Sequence, residues 1–210
     1  MANDLAKGYW ERNASRYDRS MAILGGPLPR MTELTREAIQ GSGRVLEVAA
    51  GTGLVSRAIA QDVEELVSTD YSEAMVSELR HRVTSEGLHN VRCAQADIYA
   101  LSYAPGTFDA VVAANVLHLV PNLDGALKAL VDMLRPGGRI LAPTYCHDEH
   151  AISWLMSRLL AVTGFPGQRR FTMDVLEEVV QQAGLEVVQS ELITGLLPIG
   201  FIIAEKPRGN

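Results

Sequence analysis

Three carboxylates and a glycine turn carry the sharpest chemical signal in this sequence. Glu47 lies inside the end of the apolar run Val45-Leu46-Glu47-Val48, and Ala49-Ala50-Gly51-Thr52-Gly53 follows at once. Gly51 and Gly53 let the backbone fold tightly and let a ligand approach the main chain. A helix is expected to begin near Leu54, presenting free N–H groups at the carboxyl edge of a sheet, where open α/β folds bind ligands. Gly51-x-Gly53-x-x-Ser56 is a near miss of the dinucleotide fingerprint, and Asp70 stands at about the offset of a ribose-binding acid. Glu47 would repel a pyrophosphate but welcome an ammonium or sulfonium group. Asp97, in Ala96-Asp97-Ile98, adds a third acid after a third apolar run. Acids at the ends of three successive strands suit a cationic, hydroxyl-rich ligand. The plainer alternative is that the glycines only turn the chain.

Holding those residues together requires a sheet wrapped by helices. Short apolar runs at 45–48, 66–69, 91–94, 108–114 and 139–142 read as strands, and amphipathic stretches separate them. The run at 108–114 is nearly continuous, as in a strand covered on both faces. Leu123, Ala126, Leu127, Leu130, Val131 and Leu134 form one helical stripe, with Asn122 as its N-cap and Pro136-Gly137 as its stop. Met75, Val76, Leu79 and Val83 form another, with Ser72 or Asp70 as cap. Thr172 opens a helix whose buried face is Leu176, Val179, Val180 and Ala183, and Gly184 ends it. Residues 186–192 and 201–205 read as strands joined by a loop too short for a parallel crossover, so they should pair antiparallel. Residues 1–210 are expected to form one domain, with an N-terminal extension to about residue 42 and an insertion around 143–171.

Composition sets the outer bounds. The chain has 210 residues, of which 47% are hydrophobic and 21% charged, so it is expected to fold rather than stay disordered. A formal charge of −6 argues against a nucleic-acid or anionic-membrane partner, which needs a basic footprint. Two cysteines, Cys93 and Cys146, are too few for a disulfide framework, and a cytoplasmic setting is the expectation. No leader is legible at residues 1–8. The apolar stretch at 193–204 is broken by Gly195, Pro198 and Gly200 and is too short to span a membrane.

Taken together, 45–53, Thr69-Asp70-Tyr71-Ser72-Glu73-Ala74-Met75, Ala96-Asp97-Ile98, Phe108-Asp109-Ala110-Val111-Val112 and Leu134-Arg135-Pro136-Gly137-Gly138 give the chain a family likeness. From about Tyr9 to Glu205 it resembles the class I S-adenosylmethionine-dependent methyltransferases, in their small-molecule, ubiquinone/menaquinone-biosynthesis-like branch. The resemblance implies a Rossmann-like α/β fold: a seven-stranded, mostly parallel sheet with an antiparallel C-terminal strand and helices on both faces. It implies S-adenosyl-L-methionine as cofactor. Glu47 would hold the methionine amino group, directly or through water, while the Gly51 and Gly53 backbone lies against the cofactor. Asp70 would accept both ribose hydroxyls, with a helix cap as its other reading. Tyr71 and Met75 would pack on the adenine, and Asp97 would accept from its exocyclic amine beside the Ile98 N–H. Asn115 sits where the family meets the methionine portion, and Tyr17 would reach the carboxylate or sulfonium end. Ala49 departs from the family's usual glycine and removes the freedom to adopt positive φ there.

Methyl transfer from a sulfonium needs proximity, alignment and exclusion of water, and a base only if the acceptor must lose a proton. His118, after the fourth strand, is the candidate base; its other reading is a loop cap. The 145–150 cluster, Tyr-Cys-His-Asp-Glu-His, matches no standard zinc spacing and reads as a solvated loop, so no metal is expected. Ile152, Trp154, Leu155, Met156, Leu159 and Leu160 suggest a lid over an apolar pocket or a homodimer contact. Gly164, Pro166 and Gly167 would let that lid hinge, and Arg169 and Arg170 could meet an anionic acceptor or merely solvate the loop. Trp10, Tyr9 and Tyr17 either fold over the cofactor or pin the first helix by burial. The expected activity is methyl transfer to a small, hydrophobic or aromatic acceptor. A dinucleotide-dependent oxidoreductase and a catalytically silent cofactor-binding subunit are the alternatives.

Overall fold

A computed structural model describes Gly8, residues 26–149, Ser153 and residues 167–209. Tyr9, Trp10, Tyr17, the insertion's apolar residues from Ile152 to Leu160 other than Ser153, and His150, Gly164 and Pro166 lie outside the described residues. The elements are α1 (Leu28–Ile39), β1 (Arg44–Val48), α2 (Leu54–Ile59), β2 (Glu65–Asp70), α3 (Glu73–Ser85), β3 (Val91–Gln95) and β4 (Phe108–Val112). After them come α4 (Leu123–Met133), β5 (Leu134–Leu141), β6 (Thr144–Tyr145), α5 (Met173–Gln182), β7 (Glu186–Ile193) and β8 (Ile199–Glu205).

The strands form one sheet in the order β3-β2-β1-β4-β5-β8, and β7 pairs with β8. The contacts among β3, β2, β1, β4 and β5 are parallel, while β8 runs antiparallel to both β5 and β7. The short-loop argument thus finds its strand: Ile193 pairs directly with Ile199 across the connection. Among the described residues, eight hydrogen-bonded segments occupy seven positions. β6 meets Gly200 and Ile199 of β8 in the register that β5 keeps with Ile203 and Ala204, so it is the continuation of β5 past Pro143. Part of the expected insertion is therefore strand.

Side chains of the central strands alternate across the sheet. Leu46, Val111, Ile140 and Ile202 face one core with Leu127, Leu130, Leu176 and Val180 of α4 and α5. Val45, Ala110, Leu141 and Ile203 face a second with Met31, Leu34, Ile39 and Ile59 of α1 and α2. Period-two alternation between two apolar faces is what a parallel sheet covered on both sides requires.

The helix starts follow their capping residues. Asn122 accepts the Gly125 N–H at 3.0 Å, and Ser72 and Thr172 accept the N–H groups of Met75 and Val175. The stop of α4 differs from expectation. The helix ends at Met133, and Leu134 to Gly138 already belong to β5. Phe108 pairs with Leu134 and Ala110 with Arg139, so the Arg-Pro-Gly-Gly stretch bulges out of the ladder. It finds its own partner there: Gly137 donates to the Lys206 carbonyl, and the Lys206 N–H to that of Gly138, both at 2.8 Å.

Candidate functional site

The turn after β1 is built from left-handed residues. Ala49, Gly51 and Gly53 have φ of 53°, 57° and 89°. The two glycines adopt this region without strain, but Ala49 does not, and for an L-residue the conformation costs about 1–2 kcal/mol. Neighbouring strand β2 holds the turn in place: the Ala50 N–H donates to the Thr69 carbonyl at 2.9 Å, and Thr69 Oγ1 to the Glu47 carbonyl at 3.1 Å. A side chain at Gly53 would run into Leu79 Cδ1 of α3, so this glycine also serves helix packing.

Beside the turn lies a cavity at the carboxyl ends of β1, β2, β3 and β4. Of the residues read from the sequence, Ala49, Gly51, Asp70, Tyr71, Met75, Asp97, Ile98 and Asn115 line it. Glu47, Gly53 and His118 do not, and Tyr17 lies outside the described residues.

Asp70 ends β2 with its carboxylate almost fully buried. Oδ2 accepts the Gly51 N–H at 2.8 Å and Oδ1 the Ser72 N–H at 2.9 Å. Burial raises its pKa above the ordinary aspartate value, opposed by those N–H groups. The helix cap of α3 is Ser72. Asp97 Oδ1 accepts the Tyr99 N–H at 3.0 Å, which turns the chain after β3 toward the cavity.

Glu47 sits behind the turn. It shares the sheet face of Val45, under α2, where Oε2 accepts from the hydroxyls of Ser56 and of Ser68, the latter at 3.0 Å. Burial pushes its pKa up to about 7; the serine bonds pull the other way, and Asp70 adds a smaller upward push. Met75 satisfies both of its readings, being buried in the α3 stripe and part of the cavity lining.

Asn115 is the second non-glycine lining residue in the left-handed region, with φ of 52°. Its Nδ2 contacts Met31 Sδ of α1 at 3.6 Å, and its buried Oδ1 has no hydrogen-bond partner among the described residues. Strained backbone on two sides of one cavity is the kind of departure that concentrates at ligand sites.

His118 is buried just past the lining, in a group of rings with Tyr145 and His147 at centroid distances of 5.9 and 5.4 Å. Burial, and secondarily His147, pushes its pKa down to about 3. Its imidazole is therefore neutral at pH 7. In the 145–150 cluster, Asp148 faces Arg170 at 3.9 Å and Glu149 accepts the Met173 N–H.

Sequence reasoning missed Tyr99, Leu119, Val120 and Pro121, all in the cavity wall. Tyr99 exchanges hydrogen bonds with the Asn122 backbone, its hydroxyl donating to the carbonyl and accepting from the N–H, both at 3.1 Å. An aromatic two residues beyond Asp97 was the available signal.

Residues 45–138 match a family model described as a methyltransferase domain. A ubiquinone/menaquinone biosynthesis C-methyltransferase of Teredinibacter turnerae is 29% identical over 152 residues, covering 69% of this chain and 61% of the relative. A second, from Ectopseudomonas mendocina, is 33% identical over 61% of this chain and 53% of its own length. The chain thus spans between half and two thirds of the length of these curated relatives. Among solved structures, the YcgJ protein of Bacillus subtilis superposes with a TM-score of 0.74 at 16% identity, over 86% of this chain and 99% of its own. At that identity the likeness establishes the fold. No helix among the described residues is long and apolar enough to cross a membrane. The glycine turn, the acids at the ends of β2 and β3 and the Pro-Gly-Gly bulge all lie inside the matched stretch, so residues 45–138, a little under half of the chain, are similar to a methyltransferase domain.

Proposed function

We propose that the cavity binds S-adenosyl-L-methionine and that the protein transfers a methyl group from it to a small, hydrophobic or aromatic acceptor. The observation that carries this reading is the convergence of Asp70 and Asp97, from the ends of adjacent strands, on the cavity lined by the Gly51 turn. The residues fit such a cofactor. Asp70 and Asp97 offer carboxylate oxygens to hydroxyl and amine donors, Met75 and Ile98 offer apolar surface to a flat ring, and Asn115 Oδ1 is a buried acceptor awaiting a donor. Tyr71 adds a second flat face.

When bound, the sulfonium supplies an already activated methyl group. The protein's part is then alignment and exclusion of water, for which Val116, Leu119 and Val120 provide an apolar wall. Glu47 acts on a cofactor ammonium from behind the turn, through its charge or a bridging water. His118 belongs on the acceptor side. Neutral at pH 7, it orients an acceptor hydroxyl and takes up a proton only as negative charge leaves that group. Tyr17 and Gly53 complete the cofactor contacts, the latter through its backbone. The same reading places the protein in the cytoplasm, with a small molecule rather than nucleic acid as partner and with self-association through the insertion.

Calorimetric titration with S-adenosylhomocysteine and, separately, with NAD tests the assignment. Micromolar binding of the first and none of the second is expected. The reverse pattern sinks the proposal and restores the oxidoreductase.

A further inference from the structure

One wall of the cavity is the loop after β4, where Val116, Leu119, Val120 and Pro121 line the space. This loop carries carbonyls that lie outside the strand and helix ladders, the Val120 carbonyl part-buried and the Pro121 carbonyl exposed. Their donors come from residues 168–169, on the return leg of the insertion. The N–H groups of Gln168 and Arg169 both donate to the His118 carbonyl, at 2.9 and 3.1 Å. The Arg169 side chain then donates from Nη1 to the Val120 carbonyl and from Nη2 to the Pro121 carbonyl, the latter at 2.9 Å. One guanidinium thus holds two consecutive carbonyls of the wall, a task for a planar fork of donors that a lysine ammonium, a single point charge, performs poorly.

The same short segment is tied at its other side to the exit of β6. The Asp148 N–H donates to the Phe171 carbonyl at 3.3 Å, Arg170 faces Asp148 at 3.9 Å, and Glu149 accepts the Met173 N–H at 3.3 Å. Residues 168–173 therefore strap the chain leading into the insertion to the wall of the cavity. Two of the Arg169 guanidinium donors are thereby committed to main-chain carbonyls.

We propose that Arg169 is a positioning residue for the cavity: it sets the shape of the 116–121 wall from the insertion side, so that cofactor binding and the placement of residues 167–171 are coupled. Coupling of this kind is reciprocal, so an acceptor that steadies residues 167–171 tightens the cofactor, and the cofactor steadies those residues. The proposal rests on the cavity being the cofactor site, and its test separates the two.

The test compares Arg169→Gln, Arg169→Lys and, as neighbour control, Arg170→Gln in the full chain. Three readouts are taken: calorimetric Kd for S-adenosylhomocysteine, hydrogen–deuterium exchange of peptides covering residues 115–122 without ligand, and melting temperature. Arg169→Gln is expected to raise Kd about tenfold, the scale of one charge-assisted hydrogen bond. It should also speed exchange in 115–122 while melting no lower than the Arg170→Gln control. Arg169→Lys should fall between wild type and Arg169→Gln in both. Wild-type exchange and Kd in Arg169→Gln overturn the proposal. So does faster exchange spread evenly over β4 and α4 with a matching loss of melting temperature, which marks a merely structural role. If the wild type fails to bind S-adenosylhomocysteine, the functional reading falls, and the ligand-free exchange pattern still decides the strap.

Discussion

Asp70 Oδ2 accepts the Gly51 N–H at 2.8 Å, so the acid that ends β2 holds the glycine turn that ends β1. The carboxylate does two things at once: it fixes the floor of the cavity and faces the space above it. Asp70→Ala should therefore weaken S-adenosylhomocysteine binding by roughly 1.5–3 kcal/mol, the range for hydrogen bonds to a charged group. Calorimetry reads this directly. Unchanged affinity would reduce Asp70 to a staple between two turns.

Ala49 holds a left-handed φ of 53° beside the same turn. Replacing it with glycine removes the Cβ penalty but adds unfolded-state entropy, and the first effect is the larger. Ala49→Gly should stabilise the protein by about 0.5–1 kcal/mol, seen as a melting temperature a few degrees higher. A lower melting temperature would show that the turn does not strain alanine.

The buried pair Glu47 and His118 gives stability opposite pH dependences. Glu47 has a pKa raised from 4.5 to about 7, so its native form binds the extra proton and stability falls as pH rises between those values. The full effect is about 3 kcal/mol. His118 has a pKa lowered from 6.5 to about 3, so stability falls as pH drops below 6.5. Between pH 4.5 and 6.5 the two slopes oppose each other. Glu47→Gln should unmask the histidine, giving urea-unfolding free energies that climb steadily with pH up to 6.5. A variant whose pH profile matches wild type would contradict the upward shift that burial imposes on the Glu47 carboxyl.

Asn122 caps α4 with its side chain, whereas its backbone carries the Tyr99 contacts. Asn122→Ala should cost about 1 kcal/mol of stability, the usual loss of an N-cap, and leave cofactor affinity unchanged. Parallel urea melts and titrations check both halves.

The legible parts of this fold are those set by local rules. The caps at Ser72, Asn122 and Thr172 follow from side chains that satisfy free N–H groups, and antiparallel β8 follows from a loop too short to cross over. Asp70, Asp97 and Ile98 reach the cavity because a strand end in a parallel sheet has one place to go. Leu119, Val120 and Pro121 escaped because loops have no periodicity to read, and their position depends on Arg169, 48 residues beyond Pro121. The seat of Glu47 behind the turn was readable in part. Period two puts it on the face of Val45, toward α2, and Ser56 on the first turn of that helix is the hydroxyl that meets it.

The placement of β8 governs the order of assembly during synthesis. It is translated after every strand it joins, yet it lies between β5 and β7 rather than at a margin. Until it emerges from the ribosome, β5 presents an unpaired edge and β7 has no strand partner among the described residues, a condition that invites pairing with other chains. The sheet is therefore continuous from β5 to β7 only once β8 lies between them.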